Sequence, residues 1–178
     1  MIRSGSLCVM LALSASLTLG CARYHIGSRT LYRPDVQTVH VPIFESASYR
    51  RGLGERITEA VIKEIESNTP YKVVSAEMAD SVLKGRLTND RKLTRAVNSY
   101  DEPRILDAEL NIQYTWTDRR GELLRQPAYL DISPQLLGAT ELSTGTFFPE
   151  VGQSITTAQE EAIRKFAAQV VLKMQTPW

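Results

Sequence analysis

The chain has 178 residues, 43% of them apolar and 23% charged, enough for one domain with its own core and too apolar for wholesale disorder. Arg3 lies in an N-terminal segment read below as cleaved, so 20 of the 21 basic residues remain to face 20 acidic ones. A mature chain without net charge lacks the basic field of a nucleic-acid binder, which excludes that class and leaves any attraction to anionic lipid to local clusters.

The N-terminus reads as an export signal. Arg3 supplies a positive start, and Leu7 to Leu19 form an apolar run too short to span a membrane. It ends in SLTLGCARYH (16–25), where Gly20 offers a small residue for cleavage directly before Cys21. That is the arrangement of a bacterial lipoprotein, whose cysteine thiol is acylated; the pattern prefers leucine three places earlier, and Thr18 stands there. The only other cysteine, Cys8, falls in the segment to be removed, so mature Cys21 has no disulfide partner. Ala22 and Arg23 replace the aspartate that favours inner-membrane retention in enteric-type lipoproteins. The expected location is therefore the outer membrane, lipid-anchored on the periplasmic side. The expected organisation is a lipoprotein signal peptide at 1–20, a lipidated linker at 21–35 and a single α+β periplasmic domain at 36–178.

Pro34-Asp35 closes the linker. From Val36 to Phe44, Val39, Val41 and Ile43 alternate against Thr38, His40 and Phe44, predicting a strand that Pro42 confines to an edge or ends. Leu53, Ile57, Ala60, Val61 and Ile65 recur at helical spacing and predict a helix stopped by Asn68, Thr69 and Pro70, with Ile62 hinting at a second buried side. Tyr71 to Val74 make a short strand or connector. Leu83, Gly85 and Leu87 alternate with Lys84 and Arg86 in a long strand whose distal half, Arg91 to Val97, turns polar.

The strongest strand runs from Ile105 to Trp116, where Leu106, Ala108, Leu110, Ile112, Tyr114 and Trp116 alternate with polar residues; one face packs on a core and the other meets water or a partner. A turn at Asp118 to Gly121 predicts Leu123 to Ile132 as its hairpin partner, followed by a long irregular loop from Ser133 to Gln153. A final helix from about Thr157 to Met174 carries a capping-box spacing, Thr157 and Glu160, and one apolar stripe. This order predicts an α+β fold with two helices packed on one face of a mostly antiparallel sheet of about four strands.

Catalytic chemistry finds no footing. His25 and His40 lack metal-ligand partners at useful spacing, there is no GxSxG elbow, and Gly52-Leu53-Gly54 is an incomplete phosphate loop. Asp107 and Glu109 share a strand face in the manner of a solvated surface. No catalytic residue, metal site, cofactor or enzyme activity is expected. Two basic clusters remain. Arg50 and Arg51 stand at a helix N-terminus against the dipole and are candidates for a partner or anion contact. Arg86, Arg91, Lys92 and Arg95 follow one polar strand and are candidates for gripping phosphate, or are simply a solvated strand end.

With the lipid anchor at Cys21, the stretch YHIGSRTLYRPDVQTVHVPIFES, the helix SYRRGLGERITEAVIKEI and the strand ADSVLKGRL, the chain resembles the lipopolysaccharide-assembly lipoprotein family, LptE. The resemblance implies a two-helix, sheet-based domain anchored in the outer membrane. It would sit largely inside the barrel of the translocon protein LptD and support passage of lipopolysaccharide to the outer leaflet. The implied partners are an LptD-type outer-membrane β-barrel, lipopolysaccharide, and the membrane through the N-terminal lipid. A neutral domain, polar on its open sheet face and locally basic, suits a polar lumen. The same anchor and the VHVPIF strand also resemble lipoprotein activators of the LpoB type and secretion-pore domains of the CsgG type, which act by protein contact. A CsgG-like pore needs two apolar hairpin faces that Arg91 to Val97 and Ala108 to Trp116 do not supply.

Overall fold

The computed structural model describes residues 31–124 and 139–175. Cys21, the predicted hairpin partner from 125 onward and the first part of the predicted loop, 133–138, lie outside them. In chain order the elements are β1 (Thr38–His40), β2 (Glu45–Ser46), α1 (Leu53–Asn68), β3 (Lys72–Val73), β4 (Ser81–Val97), β5 (Pro103–Asp118), β6 (Ala139–Phe147), a 3₁₀ turn (Pro149–Val151) and α2 (Ile155–Lys173).

The strands form one sheet in the order β3-β1-β4-β5-β6, with β2 also on β4. The α+β class stands as the sequence predicts, but the sheet has six strands and is mixed. β1 pairs in parallel with β3 and β4, and β2 in parallel with β4. Parallel pairing follows from the crossover: α1 lies between β1 and β3 in sequence, so the chain returns to the sheet running in its original direction. Only β4, β5 and β6 form the antiparallel part.

Pro42 does end β1, yet β1 is internal, between β3 and β4. Beyond Pro42 the alternation reverses, because the chain leaves the ladder: Ile43 is 68% exposed while Phe44 is buried. Phe44 stacks edge-on against Phe166 of α2 at 6.1 Å, and Tyr114 of β5 meets the same ring at 5.9 Å. These rings join α1, α2 and one sheet face into the main core, which includes Leu53, Ile57, Val61, Leu83, Leu110, Ile112 and Val170. Burying each such side chain contributes about 1.5–3 kcal/mol. Ile62 is partly buried against the same core, which accounts for its place outside the main stripe.

The turn at Asp118 to Gly121 forms as predicted, with Gly121 at φ 81°. Leu123 bridges Thr117, and Leu124 N–H donates to Trp116 O at 3.0 Å. On the side away from β4, β5 pairs antiparallel with β6, which begins with Ala139 opposite Tyr114 and ends with Phe147 opposite Leu106. Most of the described part of the predicted loop is therefore strand. Its sequence, ATELSTGTF, offers threonines in place of an apolar alternation, because β6 ends the sheet's strand order and turns one side to water.

The last helix starts earlier than predicted. Ser154 is its N-cap, with Oγ accepting the Thr157 N–H at 3.4 Å, so Thr157 lies inside the first turn. Glu160, expected in a capping box, pairs instead with Arg56 of α1, tying the two helices together near their N-terminal ends.

Candidate functional site

The face of β4, β5 and β6 turned away from the helices is polar. Side chains alternate along each strand. On β5, Leu106, Ala108, Leu110 and Ile112 face the core, and the intervening Asp107, Glu109, Asn111 and Gln113 face outward. The register sets Arg86 opposite Gln113, Asn89 opposite Asn111, and Arg91 opposite Glu109.

The predicted basic residues on this face all meet carboxylates. Arg86 lies 3.8 Å from Glu45 of β2, Arg91 lies 3.6 Å from Glu109, and Arg95 pairs with Asp107. Asp107 is only 2% exposed and also accepts from Thr146 Oγ1 at 2.8 Å. Burial pushes its carboxyl upward, but the hydrogen bonds from Arg95 and Thr146 outweigh that and hold it below the usual carboxylate range. The three guanidinium groups remain more than half exposed. Each engages one partner with a five-donor fork, which leaves N–H groups for an anion. The Arg86–Glu45 pair, exposed on both sides, is worth at most about 1 kcal/mol.

Lys92 is separated from this group. It stands opposite buried Ala108, one residue from Arg91 in an unbroken stretch of ladder, so the two point to opposite faces. The single polar strand read from the sequence thus presents three arginines on one face and a lysine on the other. Near their middle, Asn111 Oδ1 is buried with no hydrogen-bond partner among the described residues.

The other predicted cluster divides as well. Arg50 Nε lies 3.4 Å from Asp90, whose side chain is only 3% exposed. Asp90 also accepts from Ser48 Oγ at 3.1 Å and from Gln159 Nε2 of α2 at 3.2 Å. Arg50 therefore helps tie the loop before α1 to the sheet. Arg51 is exposed and forms no ion pair among the described residues. His40 is half-buried with Nδ1 3.1 Å from Val74 O.

Sequence reasoning missed the apolar component at the far end of the β4–β5 hairpin. Beyond Leu106, the last residue of β5 paired with β6, the β4–β5 hairpin continues as far as Val97 and Pro103. This end of the hairpin exposes Leu93, Val97 and Tyr100, the last by 83%, and the neighbouring 3₁₀ turn exposes Val151. Arg104 pairs with Glu150 and fixes that turn against the hairpin. The signal was present in the apolar residues scattered through the polar distal half of β4.

The LptE family model, described as lipopolysaccharide-assembly, matches residues 36–174. No curated protein matches the sequence. Among solved structures, uncharacterized lipoprotein B from Nitrosomonas europaea is 12% identical with a TM-score of 0.50, covering 83% of this chain and 90% of that one. The hypothetical protein CT253 from Chlamydia trachomatis is 8% identical with a TM-score of 0.50, covering 78% of this chain and 98% of that one. Both likenesses concern the fold alone. The family match takes in both helices and all six strands, and the chain belongs to the LptE lipopolysaccharide-assembly family.

Proposed function

We propose that the protein is an outer-membrane lipoprotein, acylated at Cys21 after removal of residues 1–20 and facing the periplasm, that partners an LptD-type β-barrel in the assembly and insertion of lipopolysaccharide. The observation that carries this reading is the family match over residues 36–174. The fold agrees with it physically. A sheet face lined by paired arginines, carboxylates, asparagines and threonines suits the polar lumen of a large barrel, where an apolar face would not. In this role the protein acts by binding and positioning, without catalysis of its own.

The test is an affinity pull-down of the membrane-extracted protein through a C-terminal tag, with mass spectrometry of the partners and of the N-terminal peptide. The expected result is an outer-membrane barrel together with a triacylated Cys21. Recovery of a cell-wall synthase would replace the barrel with an LpoB-type activator role, and an unlipidated soluble protein would remove the anchor.

On this reading lipopolysaccharide phosphates meet the outer sheet face through Arg86, Arg91 and Arg95, and Arg51 is left for the barrel or an anion. Because Arg91 and Lys92 point to opposite faces, they are to be reversed separately. Arg91→Glu is expected to weaken lipopolysaccharide binding by about three- to tenfold with little change in Tm, and Lys92→Glu to leave it near wild type. Wild-type binding by Arg91→Glu takes Arg91 out of the contact.

A further inference from the structure

The cleft where the chain enters the domain carries charges of both signs that the lipopolysaccharide contact does not use. We infer that this end of the domain rests on the phospholipid leaflet holding the Cys21 acyl chains and takes a zwitterionic headgroup, phosphate and ammonium together, in that cleft. The inference rests on acylation of Cys21.

Tether length and geometry define the end concerned. The ten peptide links from Cys21 to Leu31 reach at most about 35 Å when fully extended, so Leu31 cannot lie farther than that from the leaflet surface. The first residues of the domain hold this end rigidly. Tyr32 is 5% exposed, its hydroxyl donates to Asn68 O at 2.9 Å, and its ring meets Tyr71 edge-on at 5.5 Å. Arg33 N–H donates to Tyr71 Oη at 3.1 Å, and Arg33 Nη1 donates to Leu124 O at 3.0 Å. A tether leaving from so fixed a point presents one end of the fold to the membrane.

Beside it opens a cleft of about 410 Å³, formed where the chain enters and at the turn after β5. Within it Arg33 pairs with Asp35 at 2.7 Å and Arg119 with Asp80 at 3.6 Å. Arg120 and Glu122 line the same cleft, are exposed, and have no ion-pair partner among the described residues. Guanidinium and carboxylate groups lining one cleft, with Arg33 beside Asp35 and Arg119 beside Asp80, match a headgroup that carries phosphate and ammonium. The carboxylates in the lining oppose a ligand that is only anionic. Next to the cleft, Arg119 Nη2 donates to Met78 O at 3.3 Å, and the Met78 side chain is 63% exposed, offering apolar surface at headgroup depth. The hairpin tip lies at the other end of β4, whose 17 residues span about 55 Å at the usual rise.

The experiment uses the full-length acylated protein in vesicles of phosphatidylethanolamine with a minority of phosphatidylglycerol, carrying a spin-label quencher at headgroup depth. Met78→Cys and Tyr100→Cys each place one reactive thiol for a fluorophore, since Cys21 is acylated and Cys8 removed. The expected result is quenching at position 78 and little at position 100. Adding Arg120→Glu to Met78→Cys is expected to lower the quenching about twofold, as is replacing phosphatidylethanolamine by phosphatidylglycerol. A vesicle-bound protein with no quenching at 78, or equal quenching at 100, overturns the inference while leaving the anchor intact. Quenching that persists or rises in phosphatidylglycerol alone overturns the zwitterionic pairing. A protein that washes off the vesicles with an unmodified Cys21 overturns the lipoprotein reading and this inference with it.

Discussion

Gly145→Val is expected to destabilise the domain by about 3 kcal/mol or more, read as a lower urea midpoint, because β6 and α2 meet there with no space for a side chain. A Cβ built at Gly145 would stand 1.9 Å from the carbonyl oxygen of Ala158. The obstacle is helix backbone, so no rotamer change relieves it. Small residues make this close approach possible along the whole line of contact: Ser143 Oγ donates to Ala162 O at 2.7 Å, and Ala158 packs in a cluster with Ala108, Leu106 and Phe147. Shifting α2 outward to admit the valine would pull Phe166 away from Phe44 and Tyr114 and open the main core. Thr144→Val, on the outward face of the same strand, is the control and is expected to stay within about 0.5 kcal/mol. A Gly145→Val protein with the wild-type midpoint would show that strand and helix do not approach this closely.

The same strand shows what the sequence conceals. Helix α1 and strand β5 were legible because each has one face wholly committed to the core, and the period of their apolar residues reports that commitment directly. In β6 the inward positions before Phe147 include Ser143 and Gly145, small residues that let a helix come close, so the period carries little hydrophobic signal. At Pro42 the alternation was present but its phase was misleading: Ile43 continues the pattern of Val39 and Val41 in sequence, while loss of the ladder at proline turns Phe44 inward. The mixed topology was hidden for a related reason, since β1, β2 and β3 have only two or three paired residues each and short strands announce neither direction nor neighbour.

For the candidate site, the residues were legible and their partners were not. Arg86, Arg91 and Arg95 stood out as a run of cations, and Asp107 and Glu109 as paired carboxylates, but nothing local says that the second group neutralises the first. That relation is fixed by the β4–β5 register. The opposite orientation of Lys92 follows from simple alternation, and the sequence reading passed over it by treating the strand as a line of charge. The family resemblance rested on whole phrases of sequence, which is why it survived errors in individual elements.

Asp90 shows how much a tertiary partner changes the meaning of a cation, and Asp90→Ala is expected to cost about 2–4 kcal/mol. Its carboxylate is almost wholly buried and joins three segments: Ser48 and Arg50 from the loop before α1, its own strand, and Gln159 of α2. Gln159 is itself buried, so removing the acceptor leaves its amide without a partner where water cannot easily replace one. Arg50 is 44% exposed, and after Arg50→Ala the carboxylate keeps its two neutral donors; that change is expected to cost less than about 1 kcal/mol. The two variants therefore separate a structural tie from a binding cation. If Arg50 serves only the tie, Arg50→Ala captures the barrel as well as the wild type does. Asp90→Ala, by releasing the loop that carries Tyr49 and Arg51, is expected to lose capture as well as stability. Urea unfolding read beside the pull-down decides it: equal and small losses of stability in both variants would show that Gln159 does not depend on Asp90. Loss of capture by Arg50→Ala at full stability would return Arg50 to the interface.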